Sequence, residues 1–160
     1  MRLIIAAVGR LKDGPERELL DRYRDRFEKL GKGLGLAPVV WHEIAESRAA
    51  NPVTRRQEEG EALLKLARDA DHLFVLDERG KPLTSEAFAA ALAKARDGGA
   101  KTSAILVGGP DGLADSVRKA AKLQLSLGAL TLPHGLARVV LAEQLYRAAT
   151  ILAGHPYHRT

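Results

Sequence analysis

The chain has 160 residues and no cysteine, and 46% of its residues are hydrophobic and 28% charged. This balance is typical of a folded globular domain and excludes an intrinsically disordered chain. The missing cysteines exclude disulfide bonds and thiolate metal sites, and they favour a cytoplasmic location. A formal net charge of +5 permits a polyanionic partner such as a nucleic acid without requiring one.

The chain opens with an apolar run from Arg2 to Val8 that Gly9 closes. This run is too short to span a membrane and lacks the long apolar region of a signal peptide, so it predicts a first buried strand. Apolar residues then recur at helical spacing from about Glu16 to Leu30, which predicts a helix on the surface of a sheet. A second strand is predicted from Pro38 to Ile44.

The middle of the chain repeats this alternation. Asn51 followed by Pro52 predicts a helix start, because asparagine is a favoured N-cap and proline suits the first helical position. His72 to Asp77 predicts a third strand that is covered on both faces, and Thr84 predicts the cap of the next helix. In the helix after Asn51 the pattern separates an inward from an outward face: inward Val53, Gly60, Leu63, Leu64 and Ala67; outward Arg55, Glu58, Glu59, Lys65 and Arg68.

Two arginines at the start of that helix, Arg55 and Arg56, could touch a phosphate group. A solvated helix face is the favoured interpretation, since most surface charges have no more specific role.

The last third of the chain shows the clearest strand ends. Ser103 to Val107 predicts a fourth strand that stops at the glycine-rich turn 108–112, and Leu125 to Leu132 predicts a fifth that stops at Pro133. In open α/β sheets ligands bind outside the carboxyl ends of the strands, so the pocket is expected here. The whole pattern predicts one α/β domain over residues 1–160, with a mostly parallel sheet and helices on both faces.

The segment from Leu136 to Leu152 predicts a final helix that is apolar around most of its circumference. Only Arg138, Glu143 and Arg147 carry charge, and the last two can pair at i, i+4 spacing. A single sheet covers only one side of such a helix, so a second chain is expected to cover the other, as a homodimer through this helix. The alternative is an interior helix of a monomer.

Common catalytic motifs are missing from the sequence: it has no phosphate loop, no HExxH pair and no GxSxG elbow. Gly31 to Gly35 has dinucleotide-like spacing but follows a helix, which predicts an ordinary loop. His155 and His158 lack a completing ligand, so no metal is predicted. The segment 127–132 would offer apolar side chains suited to a flat heterocycle, although tight turns explain both strand-end loops equally well.

Five segments, in this order along the chain, together resemble the RlmH family of the SPOUT superfamily, small bacterial methyltransferases of 23S rRNA. They are LDERGK (76–81), VGGPDG (107–112), SLGALTLPH (126–134), AEQLYRA (142–148) and HPYHR (155–159). Each segment alone is weakly specific, whereas five in the right order are specific. Gly128 and Gly135 stand where the family would have somewhat larger residues.

The resemblance implies a C-terminal trefoil knot and a homodimer. It also implies methylation of N3 of a pseudouridine in 23S rRNA within the 70S ribosome, with no membrane involved. The cofactor would be S-adenosyl-L-methionine, bound by Leu76, Gly108, Leu127, Gly128, Ala129, Leu130, Thr131 and Leu132.

The C-terminal tail would then carry the catalytic residues. An N3–H is a weak acid, so the site must help to remove its proton or stabilise the anion. Arg159 would lie against a ring carbonyl, His158 would accept a proton, and Tyr157 would hydrogen-bond to or stack on the base. Arg138 and Arg147 are second-tier candidates with structural or phosphate-binding roles. The alternative for the tail is a frayed, solvated terminus.

Two other function classes remain open on the sequence. A non-catalytic ribosome- or RNA-binding module could use the same fold and basic surface, but it would not need a cofactor pocket. A flavodoxin-like nucleotide-binding enzyme is disfavoured, because no phosphate loop is present.

Overall fold

The computed structural model describes residues 1–158, which form one five-stranded parallel sheet flanked by helices. Strands and helices alternate along the chain as β1 (Arg2–Val8), α1 (Pro15–Gly33), β2 (Val39–Ile44), α2 (Pro52–Leu66), β3 (His72–Pro82), α3 (Ser85–Asp97), β4 (Thr102–Val107), α4 (Asp115–Ala120), β5 (Leu123–Ser126) and α5 (His134–Leu152).

The sheet has the strand order β2-β1-β4-β3-β5. Side chains of β1 alternate between two cores: Leu3 and Ile5 pack with α1, α3 and α5, whereas Ile4 and Ala6 pack with α2 and α4. Strands covered on both faces must be apolar throughout, which explains their uninterrupted hydrophobic runs. The predicted fold class, a parallel α/β sheet with helices on both faces, is confirmed.

Local signals located several element boundaries, although α1 continues to Gly33 through part of the segment 31–35 that was predicted as a loop. The first strand spans Arg2–Val8, as predicted. Asn51 caps α2 by accepting hydrogen bonds from the amides of Val53 and Thr54 at 2.8 and 3.1 Å. Thr84 caps α3 through the amide of Ala87 at 3.1 Å. Both caps satisfy amides that have no partner within their own helix.

The predicted extent of the fifth strand is wrong. β5 ends at Ser126 instead of Leu132, because pairing with β3 stops there and Gly128 takes a φ of +113°. Leu130 is 85% exposed, so the apolar run continues as an open loop.

The third strand is longer than predicted and continues to Pro82, with a register shift between Leu76 and Lys81. Gly80 allows this second contact with β5. A Cβ atom at Gly80 would lie 2.6 Å from the carbonyl carbon of Leu125, so only glycine lets the two backbones approach.

Two side chains of α2 are oriented opposite to the prediction. Glu59, predicted to face outward, is 5% exposed and accepts the amide of Ser47 at 2.9 Å. Val53, predicted to face inward, is 52% exposed. It lies in the first turn of α2, where it lines an open groove with residues of α4 instead of packing on the sheet. Helical periodicity alone did not show that the chain at Ser47 covers one side of α2.

The last helix is covered largely by its own chain. Leu141 and Leu145 are buried in the core with the sheet, while Val139 and Ala142 pack against α1 around Leu20. The apolar circumference of α5 therefore does not by itself require a partner, and the homodimer stays a prediction, as does the trefoil knot. Among residues 1–158, no helix has the length and hydrophobicity needed to cross a membrane.

Candidate functional site

The carboxyl ends of three neighbouring strands bring the predicted cofactor segments together. Leu76 of β3 lies between Val107 of β4 and Leu125 of β5 in the registered sheet. Gly108 directly follows the first of these neighbours, and Leu127 lies two residues beyond the other. Adjacent strands are about 4.8 Å apart, so all three segments share one edge of roughly 10 Å.

The turn after β4, residues 108–112, leaves no room for side chains at its start. A Cβ at Gly108 would lie 2.9 Å from the carbonyl carbon of Gly112, and one at Gly109 would lie 2.9 Å from Cγ1 of Val8. The turn closes through a 2.9 Å hydrogen bond from the amide of Gly112 to the carbonyl of Gly109. The main chain of this turn is thus packed against the end of β1.

A cavity of about 260 Å³ lies between the end of β5, the start of α3 and one side of α5. Its walls are mainly apolar, with a few hydroxyl and amide groups, which is the composition of small-molecule sites. The lining residues are Pro82, Leu83, Thr84, Ser85, Phe88, Leu125, Ser126, Leu127, Gly128, Val140, Leu141 and Gln144.

Only two of the predicted cofactor residues, Leu127 and Gly128, line this cavity. Leu76 is half-buried against the core and Gly108 is buried at the strand end. The segment 129–131 is exposed and Leu132 is half-buried. The structure therefore places all the predicted segments at one edge but gathers only part of them around the cavity.

The tail folds back onto α5 through Tyr157. Its hydroxyl donates to Oε1 of Glu143 at 3.0 Å, and its ring centroid lies 4.7 Å from that of Tyr146. The guanidinium of Arg147 lies 4.9 Å from the Tyr157 ring centroid and donates to the same Glu143 oxygen at 2.6 Å. Burial, together with hydrogen bonding to Tyr23 and Glu143, raises the pKa of Tyr157, so its hydroxyl stays protonated at neutral pH.

His158 continues the tail onto α3. Its Nε2 lies 2.9 Å from Oε1 of Glu86, and its side chain is only 15% exposed. The backbone amide of Glu86 and the hydroxyl of Thr84 lower the pKa of the Glu86 carboxyl, and His158 adds to that shift. Arg159, the third predicted catalytic residue, lies outside the described residues.

A chain of hydrogen bonds connects the tail to the cavity wall. Gln144 donates from Nε2 to Oε2 of Glu143 at 2.7 Å, and Ser85 donates from Oγ to Oε1 of Gln144 at 2.7 Å. Because Tyr157 binds the other oxygen of Glu143, two side chains, Glu143 and Gln144, link Tyr157 of the tail to Ser85 in the cavity. Sequence reasoning missed Gln144 and Ser85; the only available signal was the position of Gln144 within the AEQLYRA segment.

The two second-tier arginines have structural partners. Arg138 is 3% exposed, donates to the carbonyl of Val8 and lies 3.3 Å from Glu43, which also pairs with Arg17 at 2.7 Å. Burial lowers the pKa of Arg138, and Glu43 opposes that shift. Arg147 is engaged by Glu143, as its i, i+4 spacing predicts.

The two tail histidines do not converge on a common ligand site. His155 is exposed, and its Nδ1 accepts the amide of Tyr157 at 3.1 Å, while His158 contacts α3. Nowhere in residues 1–158 do three or more His, Asp or Glu side chains form a group that could hold a metal ion.

Sequence comparison identifies the family to which the whole chain is similar. The family model described as "Predicted SPOUT methyltransferase" matches residues 1–158. The chain is 54% identical over 159 residues to the ribosomal RNA large subunit methyltransferase H of Rhodopseudomonas palustris strain HaA2, covering 99% of both chains. It is also 54% identical to the protein of that name from Methylobacterium nodulans, covering 99% of this chain and 98% of the relative.

Solved structures resemble the chain in fold. A probable methylase family protein from Haemophilus influenzae has a TM-score of 0.52 at 10% identity, over 99% of this chain and 70% of that one. A probable methyltransferase from Bordetella pertussis has a TM-score of 0.51 at 15% identity, over 92% and 95%. These likenesses show the fold alone, whereas the sequence matches show the family. The chain belongs to the SPOUT methyltransferase family, within its group of ribosomal RNA large subunit methyltransferases H.

Proposed function

We propose that the chain is an S-adenosyl-L-methionine-dependent rRNA methyltransferase that methylates N3 of a pseudouridine of 23S rRNA in the 70S ribosome. The observation that carries this proposal is the 54% identity, over nearly the whole chain, to ribosomal RNA large subunit methyltransferases H. The pseudouridine, its N3 atom and the assembled ribosome rest on the family resemblance of the five segments.

The strand-end edge has the chemistry to hold the cofactor. The apolar cavity at the end of β5 suits an adenine ring, and the turn after β4 offers main-chain groups at Gly108 and Gly109 that carry no side chain. Leu76, Gly108 and the segment 127–132 are the residues that would bind it. When bound, the cofactor supplies an activated methyl group on a sulfonium.

The tail would manage the proton on N3 of the base. His158 would accept it on its imidazole ring, and Glu86, whose Oε1 lies 2.9 Å from Nε2, would hold that ring in place. Among the described residues neither Nδ1 nor Nε2 of His158 has a hydrogen-bond partner, so the proposal assigns the proton to the imidazole ring and not to one of its two nitrogens.

Tyr157 and Arg159 would complete this tail site. Tyr157 already contacts Tyr146 and Arg147, so its proposed role is to orient Glu143 and Arg147 while its hydroxyl stays protonated. Arg159 would oppose the charge that develops on a ring carbonyl.

The partners follow from the same proposal. An rRNA substrate accords with the net charge of +5, and work on ribosomes implies a cytoplasmic location. We also propose a homodimer through α5, with Leu136 in its first turn as a contact residue, because this leucine is 43% exposed.

Transfer of labelled methyl from S-adenosyl-L-methionine tests the proposal. The acceptors are 70S ribosomes, free 50S subunits and naked 23S rRNA, all lacking the modification. Label on 70S ribosomes, mapped to N3 of one pseudouridine, is the expected result. Label on naked rRNA would contradict the ribosome requirement but keep the enzyme class. No transfer, with no cofactor binding on calorimetry, would overturn the enzyme in favour of a non-catalytic RNA-binding module.

A further inference from the structure

Arg55 makes a set of contacts that neither a solvated face nor a phosphate-binding role describes. Its Nε and Nη2 donate to the two carboxylate oxygens of Asp111 at 2.6 and 3.1 Å. Its Nη1 donates to the carbonyls of Ala49 and Ala50 at 3.0 and 3.1 Å. One guanidinium in the first turn of α2 therefore ties two separate loops together, 45–51 and 108–112.

The second of these loops is the glycine-rich turn of the proposed cofactor site. Asp111 is its only charged side chain, and Arg55 binds that carboxylate, while Arg56 adds a longer hydrogen bond from Nη1 to the carbonyl of Asp111 at 3.5 Å. Both partners are about three-quarters buried, with side-chain exposures of 27% and 24%. A planar guanidinium that binds both carboxylate oxygens fixes orientation as well as distance.

A second group of α2 supports the same turn from beneath. Buried Glu59 accepts the amide of Ser47 at 2.9 Å, and its other oxygen lies 3.0 Å from the position that a Cβ of Gly109 would take. The two ends of the glycine-rich turn are thus held by α2, Gly109 by packing and Asp111 by charge. Without such anchors three glycines would leave the turn with many conformations.

We infer that Arg55 and Asp111 are positioning residues for the cofactor: they hold the main chain of residues 108–112 in its binding conformation without touching the cofactor. This inference rests on the proposed function. Fixing a loop before the ligand arrives removes an entropic cost from binding, so loss of the pair should weaken affinity. Turnover by the saturated enzyme should change little, because neither side chain faces the reacting atoms.

A matched pair at the opposite edge of the sheet provides the control. Arg96 is as buried as Arg55, with 26% exposure, and it also joins a carboxylate to a carbonyl: it donates to Asp97 at 2.7 Å and to Leu34 at 2.8 Å, although Asp97 is its neighbour in sequence and is 64% exposed. It lies beside the amino ends of the strands, far from the glycine-rich turn. A general loss of stability would affect both pairs, whereas positioning of the turn concerns only Arg55 and Asp111.

The experiment compares Arg55→Gln, Asp111→Asn and Arg96→Gln with the unchanged chain by calorimetry with S-adenosyl-L-methionine and by thermal unfolding. We expect Arg55→Gln and Asp111→Asn each to raise the cofactor Kd about five-fold, as for a partly exposed ion pair. The double variant should bind the cofactor no more weakly than Arg55→Gln, because that single variant already removes the interaction with Asp111. Arg96→Gln should leave Kd unchanged, and kcat on 70S ribosomes at saturating cofactor should stay within about two-fold in all.

Unchanged Kd in folded Arg55→Gln and Asp111→Asn would overturn the inference, as would an equal rise in Arg96→Gln. Asp111→Asn keeps the shape of the side chain, so it serves where Arg55→Gln unfolds. If the unchanged chain itself binds no S-adenosyl-L-methionine, the proposed function fails first and the inference fails with it. The two failures are therefore distinguishable.

Discussion

Two loops at the same edge of the sheet are held in very different ways. The turn 108–112 is packed against Val8 and tied to α2 through Arg55 and Asp111. The loop 127–133 follows the next strand but one, and Leu130 within it is 85% exposed. Its described side-chain anchor is local, between Ser126 and Gly128. We expect the first loop to be ordered before a ligand binds and the second to become ordered by it.

The largest expected effect is on methyl transfer, and it comes from deleting the tail while both loops remain. Deleting residues 155–160 removes the proposed proton acceptor, so methyl transfer to 70S ribosomes should fall at least about 100-fold. Cofactor Kd and the oligomeric state should not change, because both loops and α5 remain. Transfer assays, calorimetry and sedimentation measure these quantities. An equal loss of cofactor affinity would contradict the division of roles between the edge and the tail.

The position of the open loop depends on β5, and Gly80 holds β5 against β3. A Cβ at Gly80 would lie 2.6 Å from the backbone of Leu125, so Gly80→Ala should lower the free energy of unfolding by about 2–3 kcal/mol. Gly33→Ala is the control: it lies in the last turn of α1 with nothing within 4 Å of the new Cβ, and it should be neutral or slightly stabilising. Urea unfolding measures both. Equal effects would mean that close approach at Gly80 does not matter.

The stability that the Tyr157 hydroxyl contributes by docking on α5 should depend on pH. The pKa of Tyr157 is raised above its ordinary value of 10.0, so the unfolded chain ionises before the folded one. The hydroxyl's contribution to stability is therefore present below pH 10 and is lost as the pH rises above it. Tyr157→Phe should lower the free energy of unfolding by about 1 kcal/mol at pH 8.

Denaturant unfolding of both chains at several pH values tests that prediction. The difference between them should shrink above pH 10, whereas a constant difference would show that burial and hydrogen bonding do not raise the pKa of Tyr157 in the folded chain.

The smallest expected effect on stability is at Leu130. Because this side chain is mostly exposed, Leu130→Ser should change the free energy of unfolding by less than about 0.5 kcal/mol. Leu125, five residues earlier, is buried, so Leu125→Ala should lower the free energy of unfolding by about 2–4 kcal/mol. If the open loop closes on the cofactor, Leu130→Ser should nevertheless raise cofactor Kd several-fold on calorimetry. An unchanged Kd would remove Leu130 from the binding site.

The sequence predicts what is local and misses what joins distant segments. The caps at Asn51 and Thr84 depend on residues two or three positions away, so short-range signals were sufficient. The Arg55–Asp111 pair spans 56 positions, and the Tyr157–Glu143 contact depends on how the tail turns. Neither follows from periodicity.

The end of β5 was mispredicted for a related reason. Its apolar run continues through Leu132, but strand pairing with β3 stops at Ser126 and hydrophobicity alone does not reveal the partner's extent. The candidate site was located at the strand ends by topology, while its individual residues came from family resemblance. Neither topology nor family resemblance predicted that the Glu59 side chain is buried.

Amide hydrogen exchange with and without S-adenosyl-L-methionine tests the central claim most directly, because it reports on both loops in one experiment. The account predicts that residues 108–112 are already protected in the free protein and change little. Residues 127–133 should exchange rapidly when free and become protected when the cofactor binds. Equal protection of both loops without cofactor, or protection on binding only away from this edge, would contradict the account.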